Sequence, residues 1–331
     1  MRDRVLKTLL AMVALVVVSA SVHAAEKRIK VEDDTDKGEL AVLVDGQEAF
    51  VYQYGPDEDI AHYWPVRSPS GKSMTVQHPE KYPHHRSFWF ANKVKLLGEG
   101  VAECYNAWYT RDKNTDRSCP FRDRIRHEKF VEPEKVSLLP EDDKDESRNI
   151  AMQLVWEKDW DTTVLVETRE MQISPLEDGE YLLDIVFEVT ASEGDVAFVG
   201  PPNHQAWPYI EMNSNFDVND GEGKIVNSKG GINRNGTNGK FAKWVDYSAP
   251  AAEGWEGLAI FTHPDNNMPH RWLTRNYGCF GPCRIDKRHR QHFTLQEGES
   301  LTRRVGVLVH RGNAESGDVA ERYEQYVQGN F

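Results

Sequence analysis

Strand-like alternation of apolar and polar residues runs through most of this chain. Glu39-Leu40-Ala41-Val42-Leu43-Val44 and Ala49-Phe50-Val51-Tyr52-Gln53-Tyr54 are β-rich runs flanking Asp45-Gly46, a pattern that predicts a tight hairpin. Between Tyr181 and Thr190, Leu183, Ile185, Phe187 and Val189 take one face, while Asp184, Glu188 and Thr190 take the other. That period of two predicts a half-buried strand. Further strands are expected at Ala151–Trp156, Thr162–Ile173 and Gly257–Thr262, with Trp244–Ser248 as strand plus turn. His292–Leu295 and Leu301–Val309 flank Gly298-Glu299 and read as a second hairpin. A helical period is clear over residues 317–328, where Val319, Tyr323, Tyr326 and Val327 share a face. Asp318 sits near its start, where the helix dipole favours an acid. Glu141–Arg148 is a charged insert, read as a solvated loop. No repeat, Gly/Ser linker or composition break follows residue 38. The pattern therefore predicts an all-β chain: a single large β-sandwich-type domain over 39–331 with a short C-terminal helix. The charged residues 25–38 are expected to be flexible.

The N-terminus departs from this pattern. Arg2, Arg4 and Lys7 precede an unbroken apolar run, Leu9–Val18, and small residues up to Ala25 offer a cleavage point. This is the layout of a secretory signal, assigned here to residues 1–24, and the run is about half the length that spans a bilayer. An uncleaved anchor is the alternative. No second apolar stretch follows, so no membrane span is expected after cleavage, and the location expected is periplasmic or extracellular. The 331-residue chain carries a formal charge of −13, and losing three basic residues and one acidic residue with the signal brings it to −15. That acidity argues against nucleic acid or anionic membrane as partner and fits a small carbohydrate or oligosaccharide.

Export places the four cysteines in an oxidising compartment. Cys104, Cys119, Cys279 and Cys283 allow three pairings, of which Cys104–Cys119 with Cys279–Cys283 is the most local. Gly281-Pro282 would favour a turn closing the second pair. Free thiols are the alternative. No CxxC-type pair points to zinc, so no metal site is assigned; a divalent ion finds no support in the spacing. No other cofactor is predicted, since the chain has no GxSxG elbow, HExxH pair, dinucleotide fingerprint or EF-hand loop.

Three stretches concentrate polar and aromatic chemistry. In His78-Pro79-Glu80-Lys81-Tyr82-Pro83-His84-His85-Arg86-Ser87-Phe88-Trp89-Phe90, the prolines hold the chain extended, which would send His84 and His85 to opposite sides. A neutral imidazole exchanges protons near neutral pH, and a guanidinium holds a carboxylate or oxyanion. In Asn203-His204-Gln205-Ala206-Trp207-Pro208-Tyr209-Ile210-Glu211, aromatic faces adjoin amide and carboxylate groups, as a sugar site requires. The third, His263 to Gly278, is read as a loop after a strand, with His270, Arg275 and Tyr277 as donors and Trp272 as a flat apolar face. Each stretch also reads as an ordinary connecting loop.

Several segments together resemble the DUF6807 family, often labelled PmoA-like. They are Tyr82-Pro83-His84-His85-Arg86-Ser87-Phe88-Trp89-Phe90, Val166-Glu167-Thr168-Arg169, Asn227-Ser228-Lys229-Gly230, Lys243-Trp244-Val245-Asp246-Tyr247-Ser248, His263-Pro264-Asp265-Asn266 and Trp272-Leu273-Thr274-Arg275-Asn276-Tyr277-Gly278. They lie in order over roughly residues 40–312. The resemblance implies a β-rich secreted protein from bacterial carbohydrate-degradation gene sets, with a fold like the galactose-mutarotase supersandwich. The methane-monooxygenase activity that the label suggests is rejected, since it implies a multi-helix membrane copper protein. Residues 200–213 depart from the family pattern: His204-Gln205-Ala206-Trp207 and Glu211-Met212-Asn213 replace an acidic-glycine segment leading to an arginine.

Two functions follow. The first is an exported carbohydrate-active enzyme of lyase, epimerase or hydrolase type acting on a sugar or uronate. Its catalytic candidates are His84, His85, Arg86, His270, Arg275 and Tyr277; its binding candidates are Trp89, Asn92, His204, Trp207, Glu211, Lys229, Asn266 and Trp272. The second is a non-catalytic carbohydrate-binding or envelope protein.

Overall fold

A computed structural model of the chain describes residues 27–102, 104, 123–136, 138–139, 146–199, 205–266, 269–283 and 293–331. Residues 1–24, expected to be a signal, together with Cys119, His204 and most of the charged insert, lie outside the described residues. The strands are β1 (Ile29–Asp34), β2 (Glu39–Val44), β3 (Gln47–Gln53), β4 (His62–Val66), β5 (Phe88–Trp89), β6 (Val94–Leu96), β7 (Gly100–Ala102), β8 (Arg124–Val131), β9 (Arg148–Lys158), β10 (Thr162–Pro175), β11 (Tyr181–Thr190), β12 (Val196–Phe198), β13 (Tyr209–Glu211), β14 (Lys224–Asn227), β15 (Phe241–Ala242), β16 (Trp244–Ala251), β17 (Gly254–Thr262), β18 (His270–Thr274), β19 (Cys279–Pro282), β20 (Phe293–Leu295) and β21 (Ser300–Arg311). They build a nine-stranded sheet, β1-β2-β3-β4-β5-β13-β19-β18-β15, and an eight-stranded sheet, β14-β16-β17-β21-β11-β10-β9-β8. A small third sheet runs β20-β12-β6-β7.

Local sequence explains the pairing. Asp45 and Gly46 both take positive φ, 50° and 78°, which is what a two-residue turn matching the strand twist demands. The alternation in β11 sorts its residues as expected. Leu183, Ile185, Phe187 and Val189 enter the main core between the large sheets. Leu182 faces the other way, in a second cluster with Phe261, Leu308 and the helix residues Val319, Tyr323 and Tyr326. The C-terminal helix (Val319–Gln328) therefore covers the outer face of the eight-stranded sheet. Among the described residues no helix is long and apolar enough to cross a membrane.

Three expectations are corrected. Residues 29–34, within the segment expected to be flexible, form the edge strand β1, paired with β2 from Ile29↔Val44 to Asp34↔Glu39. Its charges are those that keep a sheet edge from pairing with another chain, so they disguise the strand. Gly298-Glu299 does turn the chain, but β20 and β21 do not pair across it: β20 joins β12, and β21 runs between β11 and β17. Finally, Cys279 opens β19 and Cys283 follows its end, so no tight loop joins them. Four residues of extended chain span about 13 Å, beyond the ~7 Å Cα limit of a disulfide. Both are buried, and they are not bonded to each other.

Candidate functional site

The segment before β5 is folded by tight turns. Tyr82 N–H donates to Pro79 O, His85 N–H to Tyr82 O and His78 N–H to His85 O, at 2.9, 2.8 and 3.1 Å. Because the chain turns there, His84 and His85 do not diverge as an extended strand would make them. Their rings meet edge-to-face with centroids 4.5 Å apart, and both line one cavity. Arg86 clamps this loop from below. Its side chain is 1% exposed, ion-paired with the equally buried Asp59, and donates to Pro83 O at 3.4 Å. The guanidinium expected to hold a ligand is thus spent on the loop itself.

The cavity floor is the middle of the nine-stranded sheet. Register pairs Trp89 with Tyr209 and Glu211 with Cys279. Period-two alternation puts these four side chains on one face, and sends Phe88, Ile210 and Phe280, all fully buried, into the core. Gly278 enables this closeness. It turns the chain into β19 at φ 113°, and a Cβ there would sit 2.3 Å from Met212 O.

The cavity encloses about 700 Å³. Aromatic rings make one wall: Tyr82 lies 4.7 Å from Tyr277 and stacks on His85 at 4.9 Å, and Trp89 stacks on Tyr209 at 4.9 Å and 12°. Lys81, Arg234 and Arg275 bring three cations to the lining. Arg275 is held by Nη1 donating to Asn238 Oδ1 at 2.6 Å and to Thr274 O at 3.0 Å. Burial, with His85 and Arg86 close by, pushes the His84 pKa down to about 4, so its imidazole is neutral at pH 7. Burial pushes the Tyr277 phenol well up, so it keeps its proton. At the floor, the 2%-exposed Glu211 sets Oε2 3.2 Å from His85 Nδ1. Burial raises the pKa of both Glu211 and Cys279.

Of the sequence candidates, His84, His85, Trp89, Arg275 and Tyr277 line the cavity, and Glu211 lies against His85. The others are placed elsewhere. His270 and Trp272 belong to strand β18, not to a loop, and take its core face. Trp272 is fully buried with Nε1 donating to Ala242 O at 3.0 Å, so it offers no face to a ligand. His270 bonds Cys283 O at 3.1 Å. Asn266 is a buried peg that grips the Arg304 backbone at both N–H and C=O. Trp207 packs among Trp156, Phe187 and Phe198 in the core, and Asn92 is fully buried. Lys229 borders a separate recess of about 440 Å³ with Lys240 and Arg271.

Sequence reading missed Tyr82, Tyr209, Arg234 and Cys279 as site residues. Tyr82 and Tyr209 sit inside the segments singled out, so proximity was a usable signal. Arg234 lies in a short helix, Asn233–Thr237, with no local chemical mark, and only folding brings it to the cavity.

The chain is similar to several solved structures. A GH36 α-galactosidase from Geobacillus stearothermophilus matches at 11% identity and TM-score 0.49, over 87% of this chain and 42% of that one. The chain thus spans about two fifths of that enzyme's length. A galactose mutarotase related enzyme from Lactobacillus acidophilus matches at 8% identity and TM-score 0.37, over 86% of this chain and 98% of that one. A galactose 1-epimerase from Lactobacillus acidophilus NCFM matches at 9% identity and TM-score 0.36, over 87% of this chain and all of that one. Comparison with curated proteins returns no match. At the level of sequence the assignment is direct: the profile of DUF6807, a family of unknown function, matches residues 39–324, and the chain belongs to that family.

Proposed function

We propose that the chain is an exported enzyme acting on an acidic sugar, a uronate or an oligosaccharide containing one, by acid–base chemistry of lyase or epimerase type. The carrying observation is the cavity itself, where stacked aromatic walls meet three cations in a protein whose net charge is −13. A local positive site on an acidic protein selects an anion by electrostatic focusing. The aromatic wall suits the C–H face of a pyranose. Export rests on the N-terminal pattern of residues 1–24.

The roles follow from protonation state. Arg275, with Arg234 and Lys81 near the mouth, neutralises the substrate carboxylate, which acidifies the proton on the adjacent carbon. Neutral His84 accepts that proton. Tyr277 retains its own proton and delivers it either to a departing glycosidic oxygen, giving elimination, or to the opposite face of the carbon, giving epimerisation.

The test is incubation with matched neutral and uronate oligosaccharides, read by mass spectrometry and NMR. Wild type is expected to convert only the uronates, giving either a cleaved product with an unsaturated end or an epimer of unchanged mass. His84→Gln should lower kcat by roughly 10²–10⁴-fold. Arg275→Gln should raise KM and lower kcat together, because it removes carboxylate binding along with the charge that acidifies the adjacent carbon. Full turnover in His84→Gln, or equal use of neutral sugars, sinks the proposal. Saturable uronate binding without turnover would return the protein to the binding class.

A further inference from the structure

We propose that His85, Glu211 and Cys279 form a zinc-type metal centre at the floor of the cavity, with an open coordination position toward the ligand. This goes beyond the acid–base reading, which gives these three side chains no task.

Glu211 is a carboxyl group 2% exposed; its Oε2 and the buried His85 Nδ1 face each other as an ion pair, and among the described residues neither atom makes a hydrogen bond of good geometry. Buried polar atoms in native proteins are almost always satisfied, so two such atoms facing each other at 3.2 Å call for an explanation. Adding Cys279 Sγ gives three donor atoms all within 4.8 Å of one another. Tetrahedral zinc, with bonds of about 2.0–2.3 Å, holds its ligand atoms about 3.3–3.7 Å apart. The His85–Glu211 separation already lies near that spacing, and the set closes on an ion by small rotamer adjustments.

The positions are rigid as well as close. Glu211 and Cys279 are register partners on β13 and β19, and Glu211 N–H is bonded to Ser87 O at 2.8 Å. The His85 ring is stacked on Tyr82 and lies 5.6 Å from Trp89, so its nitrogen is aimed by packing on both sides. Imidazole, carboxylate and thiolate together exclude Ca²⁺ and Mg²⁺, which prefer all-oxygen sites, and suit Zn²⁺. Three protein ligands with a vacant fourth position are the pattern of catalytic rather than structural zinc. Here the fourth position opens to the cavity, since His85 and Cys279 both line it. The substrate oxygen that meets the ion there is a hydroxyl or carboxylate of the acidic sugar.

Cobalt(II) is the probe. The purified chain, stripped with chelator, is titrated with Co²⁺ and read by absorbance. One Co²⁺ per chain is expected, with a thiolate-to-cobalt charge-transfer band that Zn²⁺ abolishes by displacement. Cys279→Ser should lose the band. His85→Gln and Glu211→Gln should each weaken binding by more than about 10–100-fold, the loss that even outer-shell partners cause. Lys229→Ala, in the separate recess, should bind as wild type. Should a variant fail to fold, X-ray absorption of the zinc-loaded wild type decides alone: one sulfur at about 2.3 Å is expected. Absence of saturable binding, zinc without a sulfur neighbour, or a band that survives Cys279→Ser overturns the centre. Cobalt bound without any sugar turnover supports the centre and removes the enzyme reading. Turnover by chain that binds no cobalt does the reverse.

Discussion

Two of the buried polar clusters among the described residues answer to different rules. In the core between the sheets, Glu167 and Arg169 are both fully buried. Arg169 Nε and Nη2 donate to Glu167 Oε1 at 2.8 and 2.6 Å, and Nη1 donates to Tyr63 OH at 3.3 Å. Trp156 Nε1 donates to the other carboxylate oxygen at 2.8 Å, and the guanidinium lies 3.9 Å from the Phe90 ring centroid. Both carboxylate oxygens are hydrogen-bonded, and nothing is left to bind a visitor. In the His85–Glu211–Cys279 cluster Glu211 and Cys279 are buried nearly as deep, but Glu211 Oε2 meets His85 Nδ1 as an ion pair at 3.2 Å without a hydrogen bond of good geometry, and a cavity adjoins. Buried charge by itself therefore marks architecture. Buried polar atoms left unmatched beside open space mark a site.

Breaking the closed cluster should have the largest effect. Arg169→Met strands the Glu167 carboxylate and should cost about 3–5 kcal/mol in urea unfolding, while Glu167→Met with Arg169→Met together should recover most of it. If the single variant is as stable as wild type, the cluster is not the closed unit described here.

Acid sensitivity comes next. Burial holds His270 at about 4 and His62 at about 3, below the ordinary histidine value of 6.5. Between those values the unfolded chain binds protons that the folded chain refuses, so stability is lost as pH falls from about 7 toward 4. His270 alone contributes up to about 3 kcal/mol to that loss, and His270→Gln should flatten the fall in urea midpoint over this window.

Smaller is the effect of Trp272→Phe. It should cost roughly 1–2 kcal/mol through the lost bond to Ala242 O and a small void, yet leave ligand affinity unchanged, because Trp272 faces the core. A loss of affinity in that variant would put β18's inner face back in the site. Least of all, Glu211→Gln in chelator should shift stability by less than ~1 kcal/mol in either direction, since the cost of burying the carboxylate offsets its ion pair with His85. A loss as large as that of Arg169→Met would mean that Glu211 is structural, like Glu167.

The site was half legible in the sequence. His84, His85, Trp89, Arg275 and Tyr277 stood out because His, Arg and aromatic residues crowd two short segments, and both segments reach the cavity. The same crowding misled at Arg86, His270 and Trp272, whose composition resembles that of their neighbours. What separates them is which side of the backbone each takes, and a strand reverses that at every residue. Spacing along the chain does not point to the proposed metal set for a related reason. His85, Glu211 and Cys279 are separated by 126 and 68 residues, and motif spacing reports only ligands carried on one local element.

The β-rich architecture, the Asp45-Gly46 hairpin, the inward face of β11 and the C-terminal helix are all written in local sequence. Each of these depends on interactions among residues close in the chain, where periodicity and turn chemistry operate. The edge pairing of β1, the parting of β20 from β21, the separation of Cys279 from Cys283 along an extended strand, and the meeting of β5, β13 and β19 emerge with the folded sheets alone. Those outcomes depend on strand register between segments far apart in sequence. A one-residue change of register would carry Glu211 to the opposite face and leave no local trace in the chain.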